Sequence, residues 1–360
     1  MTLDPSVIRS IPLADGTPGQ LGPRLAGISG DGNDVVVTDL ATGSVTSVSA
    51  HVRGHQEVLS VELSGNHLVW ATGAWASYEP GVAPCSVGGA VSWTVWARDL
   101  EAGTDAEIAM GKNTDTESCA AYCPDIAVDG DLLAYAVEDH ERASKEATTL
   151  VIRSLVTGEI VRTVDTDLYI EDLAISDEDV AFIDGHLSTD PYSDIESPRL
   201  IVSTTDSPAL RLIETGQYVD SLSFVNGRLA WLGDEADDEE VWTADVKDLK
   251  PVALTHDGDR RYSDPYSSGD YVVWSDGPLY YFGTRIDVWS QHDSTIHSVV
   301  PFPSSYSSTG EPLAPEPGAG EVYSAWVDGS WLLWNGSIFK SAAEYSDVLQ
   351  GCLLSDAGIS

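Results

Sequence analysis

Along this chain a tight turn followed by a short apolar strand recurs seven times, often closing on Trp, Tyr or Phe. The series runs LGPRLAGIS (Leu21 to Ser29), SGNHLVWAT (Ser64 to Thr72), DGDLLAYAV (Asp129 to Val137) and SDEDVAFID (Ser176 to Asp184). It continues with NGRLAWLGD (Asn226 to Asp234), SGDYVVWSD (Ser268 to Asp276) and DGSWLLWNG (Asp328 to Gly336). From Asp129 the turns follow at 47, 50 and 42 residues. A period of about 40 to 50 residues with several strands in each unit is the signature of propeller blades. The expected fold class is therefore all-β: a β-propeller of four-stranded antiparallel blades, forming a single domain over residues 1–360.

The second half of each unit repeats as well. DVVVTDLATGSVTSVS (Asp34 to Ser49), TVWARDLEAGTDAEIA (Thr94 to Ala109) and LVIRSLVTGEIVRTV (Leu150 to Val164) share a strand, a Gly turn and another strand. Val, Ile and Thr alternate with polar residues there, as half-buried strands require. Gly43, Gly103 and Gly158 are expected to supply the positive φ of the turn. The later VWTADVKDLKPVALT has no Gly at that place, and the tail SIFKSAAEYSDVLQG is the only stretch that also reads as helix.

Seven second strands argue for seven blades. The first unit, however, opens weakly at Arg9 to Ala14, and the last lacks clear third and fourth strands after Trp334. An N-terminal segment that completes the C-terminal blade would give six, which stands as the alternative. Such sharing removes two exposed sheet edges.

At DLATG (Asp39 to Gly43), DLEAG (Asp99 to Gly103) and the strands that end in Trp, the chain resembles TolB-like and related bacterial β-propeller repeats. The resemblance covers most of the length at the level of blade pattern. WSDG (Trp274 to Gly277) is the nearest piece to that family's WSPDG. It implies a propeller fold and a role in protein or carbohydrate binding, and it carries over no catalytic residue.

Charge narrows the partners. Lys and Arg number 18 against 58 Asp and Glu, a net charge of −40. Nucleic acid needs a basic footprint, and none is visible. Anionic membrane surfaces are disfavoured for the same reason, and no apolar run approaches the ~18 residues of a membrane span. Cations, basic proteins and neutral glycans fit better, with the chain itself expected to be a monomer. The start, MTLDPSVIRSIPLADG, does not have the pattern of a signal peptide.

Candidate binding residues follow from the repeat. Tyr122, Tyr169 and Tyr218 precede first strands at steps of 47 and 49 residues. Asp125, Asp172 and Asp220 follow shortly after, and Tyr262 with Asp264 repeats the idea. Pseudo-symmetry would set these around one mouth, where aromatic rings and carboxylates grip a sugar or a Lys- or Arg-bearing peptide. The alternative is that each Tyr packs between blades and each Asp caps a turn. The long loop Gly73 to Ser92 adds Trp75 and Tyr78 to the same face.

No cofactor is expected. DGND (Asp31 to Asp34) and DEADDEE offer calcium-type oxygens without EF-hand spacing, so calcium stands only as a weak option. His51 and His55 form the one close His pair, and no GxSxG, Walker or HExxH pattern occurs. The expected function is a non-catalytic binding or scaffold protein that recognises a protein or carbohydrate partner. Its alternative is a glycoside hydrolase or polysaccharide lyase.

Of four cysteines, Cys85 lies in the longest loop, and Cys119 and Cys123 lie just before the next first strand. A disulfide from Cys85 to Cys119 or Cys123 would pin that loop, with Cys119–Cys123 as the local rival. Cys352 is expected to be a free or buried thiol. A disulfide would place the protein in an oxidising compartment, periplasmic or secreted.

The charge generates the first prediction. A fold carrying −40 repels itself, and about 1 M salt shortens the screening length to about 3 Å. The melting temperature is expected to rise with NaCl. Melts in NaCl and CaCl₂ at equal ionic strength check this, and a larger rise in CaCl₂ would mark specific calcium binding.

Overall fold

The structure, a computed structural model, describes residues 9–11, 24–29, 32–39, 42, 44–53, 56–75, 90–112, 125–138, 148–166, 168, 170–184, 199–213, 218–235, 238–256, 260–278, 284–302, 319–328, 331–341, 344–355 and 357–359. Among them there are 28 strands and no helix. They form seven antiparallel sheets, the β-propeller class, and the chain divides into two compact units.

The first strand, β1 (Arg9–Ile11), belongs to the unit that holds residues 1–13 and 179–360. The unit spanning residues 14–178 opens with the sheet β2 (Arg24–Ile28), β3 (Asp34–Asp39) and β4 (Val45–Ser49). Its second sheet is β5 (Gln56–Ser64), β6 (His67–Trp75), β7 (Ala90–Asp99) and β8 (Thr104–Lys112). The third is β9 (Ile126–Asp129), β10 (Leu132–Glu138), β11 (Thr148–Ser154) and β12 (Ile160–Thr166). β13 (Ile170–Ser176) is the last strand of this unit, whose boundary falls in the turn after it.

The other unit continues with β14 (Asp179–Asp184), β15 (Arg199–Ser203) and β16 (Arg211–Ile213). The fifth sheet is β17 (Tyr218–Val225), β18 (Arg228–Glu235), β19 (Asp238–Asp245) and β20 (Val252–Ala253). In the sixth, the first position is split into β21 (Arg260–Tyr262) and β22 (Tyr266–Ser267). Both segments pair with β23 (Tyr271–Pro278), followed by β24 (Arg285–Ser290) and β25 (Thr295–Val299). Pro265 lies in the gap, and a residue without an N–H does not continue a ladder. The seventh sheet is β26 (Gly320–Asp328), β27 (Trp331–Ser341) and β28 (Glu344–Leu353).

The N-terminal strand settles how the last sheet is completed. β1 lies on β28, with Arg9 opposite Gly351 and Ile11 opposite Leu349. The seventh sheet thus runs β1-β28-β27-β26, while the sheet count stays at seven rather than six. The tail that also read as helix supplies the end of β27 and most of β28.

The turn between the first and second strands recurs in left-handed geometry: Gly65 (φ 57°), Gly130 (54°), Asp177 (52°), Asn226 (50°), Gly227 (75°) and Gly269 (87°). Glycine meets that requirement without a Cβ clash, and Asp and Asn tolerate it. Gly103 (φ 67°) and Gly158 (73°) do supply the turn between third and fourth strands; Gly43 lies outside the described residues. Where the fifth sheet has no Gly, Leu249 itself takes φ 51°.

The second strand carries the core. Trp70, Phe182, Trp231, Trp274 and Trp334 are fully buried and Tyr135 nearly so, all at the close of the recurring turn-plus-strand motif. In the unit of residues 14–178, one apolar cluster joins Val35, Val37 and Val48 to Val61, Leu63, Leu68 and Trp70. The next joins Val69, Ala71 and Val95 to Ile126, Val128, Leu133 and Tyr135. Each cluster fills the space between two successive sheets. In the other unit, a cluster around Trp334, Val322 and Val288 also buries Cys352.

Polar bonds tie successive sheets at their turns. Gly130 donates its N–H to Ser64 Oγ at 2.9 Å, and Asp177 donates to Asp129 Oδ2 at 2.7 Å. Ser267 does the same to Ser223 Oγ at 2.9 Å in the other unit.

Closure by β1 is testable. Ser10→Pro places a ring in the middle of a three-residue ladder. A fall in melting temperature equivalent to about 1–3 kcal/mol is expected. Thermal melts followed by circular dichroism check it, and an unchanged melt means the pairing contributes nothing.

Candidate functional site

First strands carry carboxylates where a core strand would carry apolar side chains. On β5, Val61 and Leu63 face the cluster shared with the preceding sheet, so the alternating Ser60, Glu62 and Ser64 face the other way. Ser64 spends its hydroxyl on the Gly130 N–H. Glu62 is half-buried, and no cation or hydrogen-bond donor meets its carboxyl among the described residues. Burial, with the negative charge of Asp172 as a second cause, pushes that carboxyl up to about 8. Glu62 is therefore largely a neutral acid at pH 7, close enough to Asp172 to feel its charge.

Asp172, half-buried on β13, accepts the Leu173 N–H on Oδ1 at 2.8 Å. Asp220 repeats this on β17, accepting the Ser221 N–H at 2.9 Å. Ser221 is the extra residue of a β-bulge between Asp220 and Leu222 and has φ 47°. Similar register shifts interrupt β5 between Val58 and Ser60 and β26 between Val322 and Ser324. A bulge re-aims the side chains beside it. In the sixth sheet the gap between β21 and β22 replaces the bulge and presents Asp264. Burial and the charge of Asp220 raise the Asp264 carboxyl, and the Ser221 hydroxyl pulls it down. Asp264 is exposed as a residue, so solvent screens much of that repulsion.

The expected site residues divide as follows. Asp125 and Asp172 are half-buried, and Asp220 is exposed at the start of β17. Trp75 and Tyr218 sit at the end of β6 and the start of β17, opposite Ala90 and Asp234. Tyr78, Tyr122, Tyr169, Cys85, Cys119 and Cys123 lie outside the described residues, and so does every disulfide among those cysteines. Tyr262 takes the packing role: it is buried with Leu232, Val241, Val272 and Trp274. Glu62 escaped the sequence reading because nothing repeats it. Its signal was a lone charge within the apolar alternation of VLSVELS. Among the described residues no group of three or more His, Cys, Asp or Glu could hold a metal ion.

A second polar cluster stands at the end of the sixth sheet where β21 begins and β23 closes. Asp276, fully buried, receives Arg260 and Arg285, and Arg285 also reaches Asp287 at 3.1 Å. Burial pushes the Asp276 carboxyl up to about 7 against the pull of the two guanidiniums. The fourth sheet repeats the cross-strand pair at the same end, where Arg199 Nε donates to buried Asp184 at 2.9 Å.

No protein-family model and no curated protein sequence matches this chain. Solved structures do. The chain resembles the β-propeller domain of the Trilobed protease from Pyrococcus furiosus, which has an open velcro topology (TM-score 0.55, 11% identity, 94% of each chain). It also resembles a chain of the Mitotic Checkpoint Complex (TM-score 0.55, 12% identity, 98% and 95%). Oligogalacturonate lyase in complex with manganese is a third (TM-score 0.53, 14% identity, 97% and 91%). Of the Pyrococcus horikoshii acylaminoacyl peptidase the chain spans about half the length, 51%. Identities this low establish the β-propeller fold alone. That fold serves enzymes as well as non-catalytic assemblies, so function must come from the site.

The raised Glu62 carboxyl has a sign. A carboxyl whose value rises on folding, here from 4.5 to about 8, costs stability increasingly between those two pH values. Below about 4.5 the penalty is absent, and above about 8 it is complete. Glu62→Gln is expected to stabilise the protein on the order of 2–4 kcal/mol at pH 8, discounted for partial exposure, with little effect at pH 4.5. Denaturant titrations at the two pH values measure this.

Proposed function

We propose that the protein is a non-catalytic β-propeller binding module that takes a cationic side chain of a protein partner onto its first-strand carboxyls. The observation that carries the reading is Glu62, a half-buried carboxyl with no cation among the described residues and the charge of Asp172 beside it. A Lys or Arg brought there relieves the repulsion and ionises Glu62, which supplies binding free energy that the empty site lacks. Asp220 and Asp264 repeat the arrangement in the other unit, again with like charges raising one carboxyl. The net charge of −40 draws basic partners from a distance. On this reading the blade repeats group with the TolB-like binding proteins that their wording resembles.

A second reading is favoured by the same residue. A neutral carboxylic acid near an ionised carboxylate is the pairing that glycoside chemistry uses. Glu62 would then act as proton donor and Asp172 as the ionised partner.

Titration with Lys- and Arg-containing peptides and their neutral counterparts tests the module. Binding of the basic peptides is expected to tighten from pH 5 to pH 8, as Glu62 ionises more readily. Glu62→Gln is expected to weaken it about tenfold, the scale of one charge-assisted contact. A reducing-end assay on a glycan panel decides the second reading, since release of ends that Glu62→Gln abolishes would establish an enzyme instead.

A further inference from the structure

We propose that the sixth sheet carries a binding site for a carboxylate group, formed by the Arg260 and Arg285 guanidiniums where β21 begins and β23 closes. Arg285 stands directly opposite Asp276 across the β23–β24 ladder, and Arg260 comes to the same carboxylate from β21. Asp276 is fully buried and Asp287 nearly so, whereas the Arg260 and Arg285 side chains stay 24% and 37% exposed. The acids thus lie beneath and the guanidiniums face outward.

Donor accounting leaves capacity to spare. Arg260 uses Nε on Asp276; Arg285 uses Nε on Asp287 and one terminal nitrogen on Asp276 and Asp287. Each guanidinium carries five N–H donors in a planar fork that matches a carboxylate. The remaining terminal nitrogens have no partner among the described residues. Glu239 on the neighbouring sheet accepts the Tyr262 N–H at 3.3 Å. Arg260 and Arg285 are two of only 18 basic residues in the chain, and they share two buried carboxylates, Asp276 and Asp287.

The ligand is thus a carboxylate held between two forks, carried by a sugar acid or by a peptide terminus. The residues differ from those proposed to receive a cation, so either proposal can fail alone. Titrations of the protein with glucuronate and glucose, and with a short peptide as free acid and as amide, are followed by NMR of the Arg side-chain N–H resonances. The acids are expected to give saturable shifts in Arg260 and Arg285 and the neutral forms none. Whichever acid binds more tightly identifies the source.

Arg285→Lys keeps the charge but loses the fork, and is expected to weaken binding about tenfold, whereas Arg199→Lys leaves it unchanged. Affinity should improve with moderate salt, because screening of the −40 field outweighs screening of the local contact. No shift with either acid, equal binding of glucose, or wild-type affinity in folded Arg285→Lys and Arg260→Lys overturns the site. If both variants fail to fold, the wild-type Arg resonances still decide.

Discussion

The buried aromatic residue on the second strand is what most of the sheets pack around. Trp70 bonds its Nε1 to the Ala50 carbonyl at 3.0 Å while its ring fills the gap to the preceding sheet. A single β-sheet of this size has two apolar faces and cannot stand alone in water. The neighbour that covers one face exposes its own, so the chain repeats the unit. Truncation of a buried Trp typically costs about 3–5 kcal/mol, and six of the seven sheets use an aromatic there. First strands, relieved of much of that duty, are where carboxylates are tolerated.

Some of the described arginines are used inward, between sheets. Arg228 is buried, donates to the Gly269 carbonyl and lies over the Trp289 ring at 5.2 Å. Arg153 reaches the Ile108 carbonyl of the neighbouring sheet at 2.9 Å. Exposed ion pairs contribute little, so a chain short of basic residues gains more by joining sheets with them. The net charge of −40 makes long-range attraction of cations a property of the whole surface.

The sequence announces its sheets because turn chemistry and burial act locally. The motif that places Trp231, Trp274 and Trp334 is visible as letters, as are Gly103 and Gly158. The N-terminal segment was placed through the incomplete last unit rather than through its own letters, and its pairing with a strand some 340 residues away leaves seven sheets rather than six. The tail from Ser337 mixes Ala, Glu and Leu, and only its neighbour β27 makes it a strand. The candidate carboxyls were legible where they repeat, at Asp172 and Asp220, and not at Glu62, which stands out only through what surrounds it. Tyr262 shows that a repeated residue can serve the repeat itself.

The pairing of β1 with β28 also sets a temporal order. On a ribosome, Arg9 to Ile11 emerge long before their partners Leu349 to Gly351. The completed seventh sheet therefore waits for the residues between them, while the second and third sheets can form from neighbouring hairpins as they appear. Contacts so distant in sequence are closed late and slowly. During that interval the edge of β28 and the short N-terminal strand are both without their native partner, which is when a polypeptide of this kind is most open to mispairing. A surface of strong negative charge keeps nascent copies apart through that window.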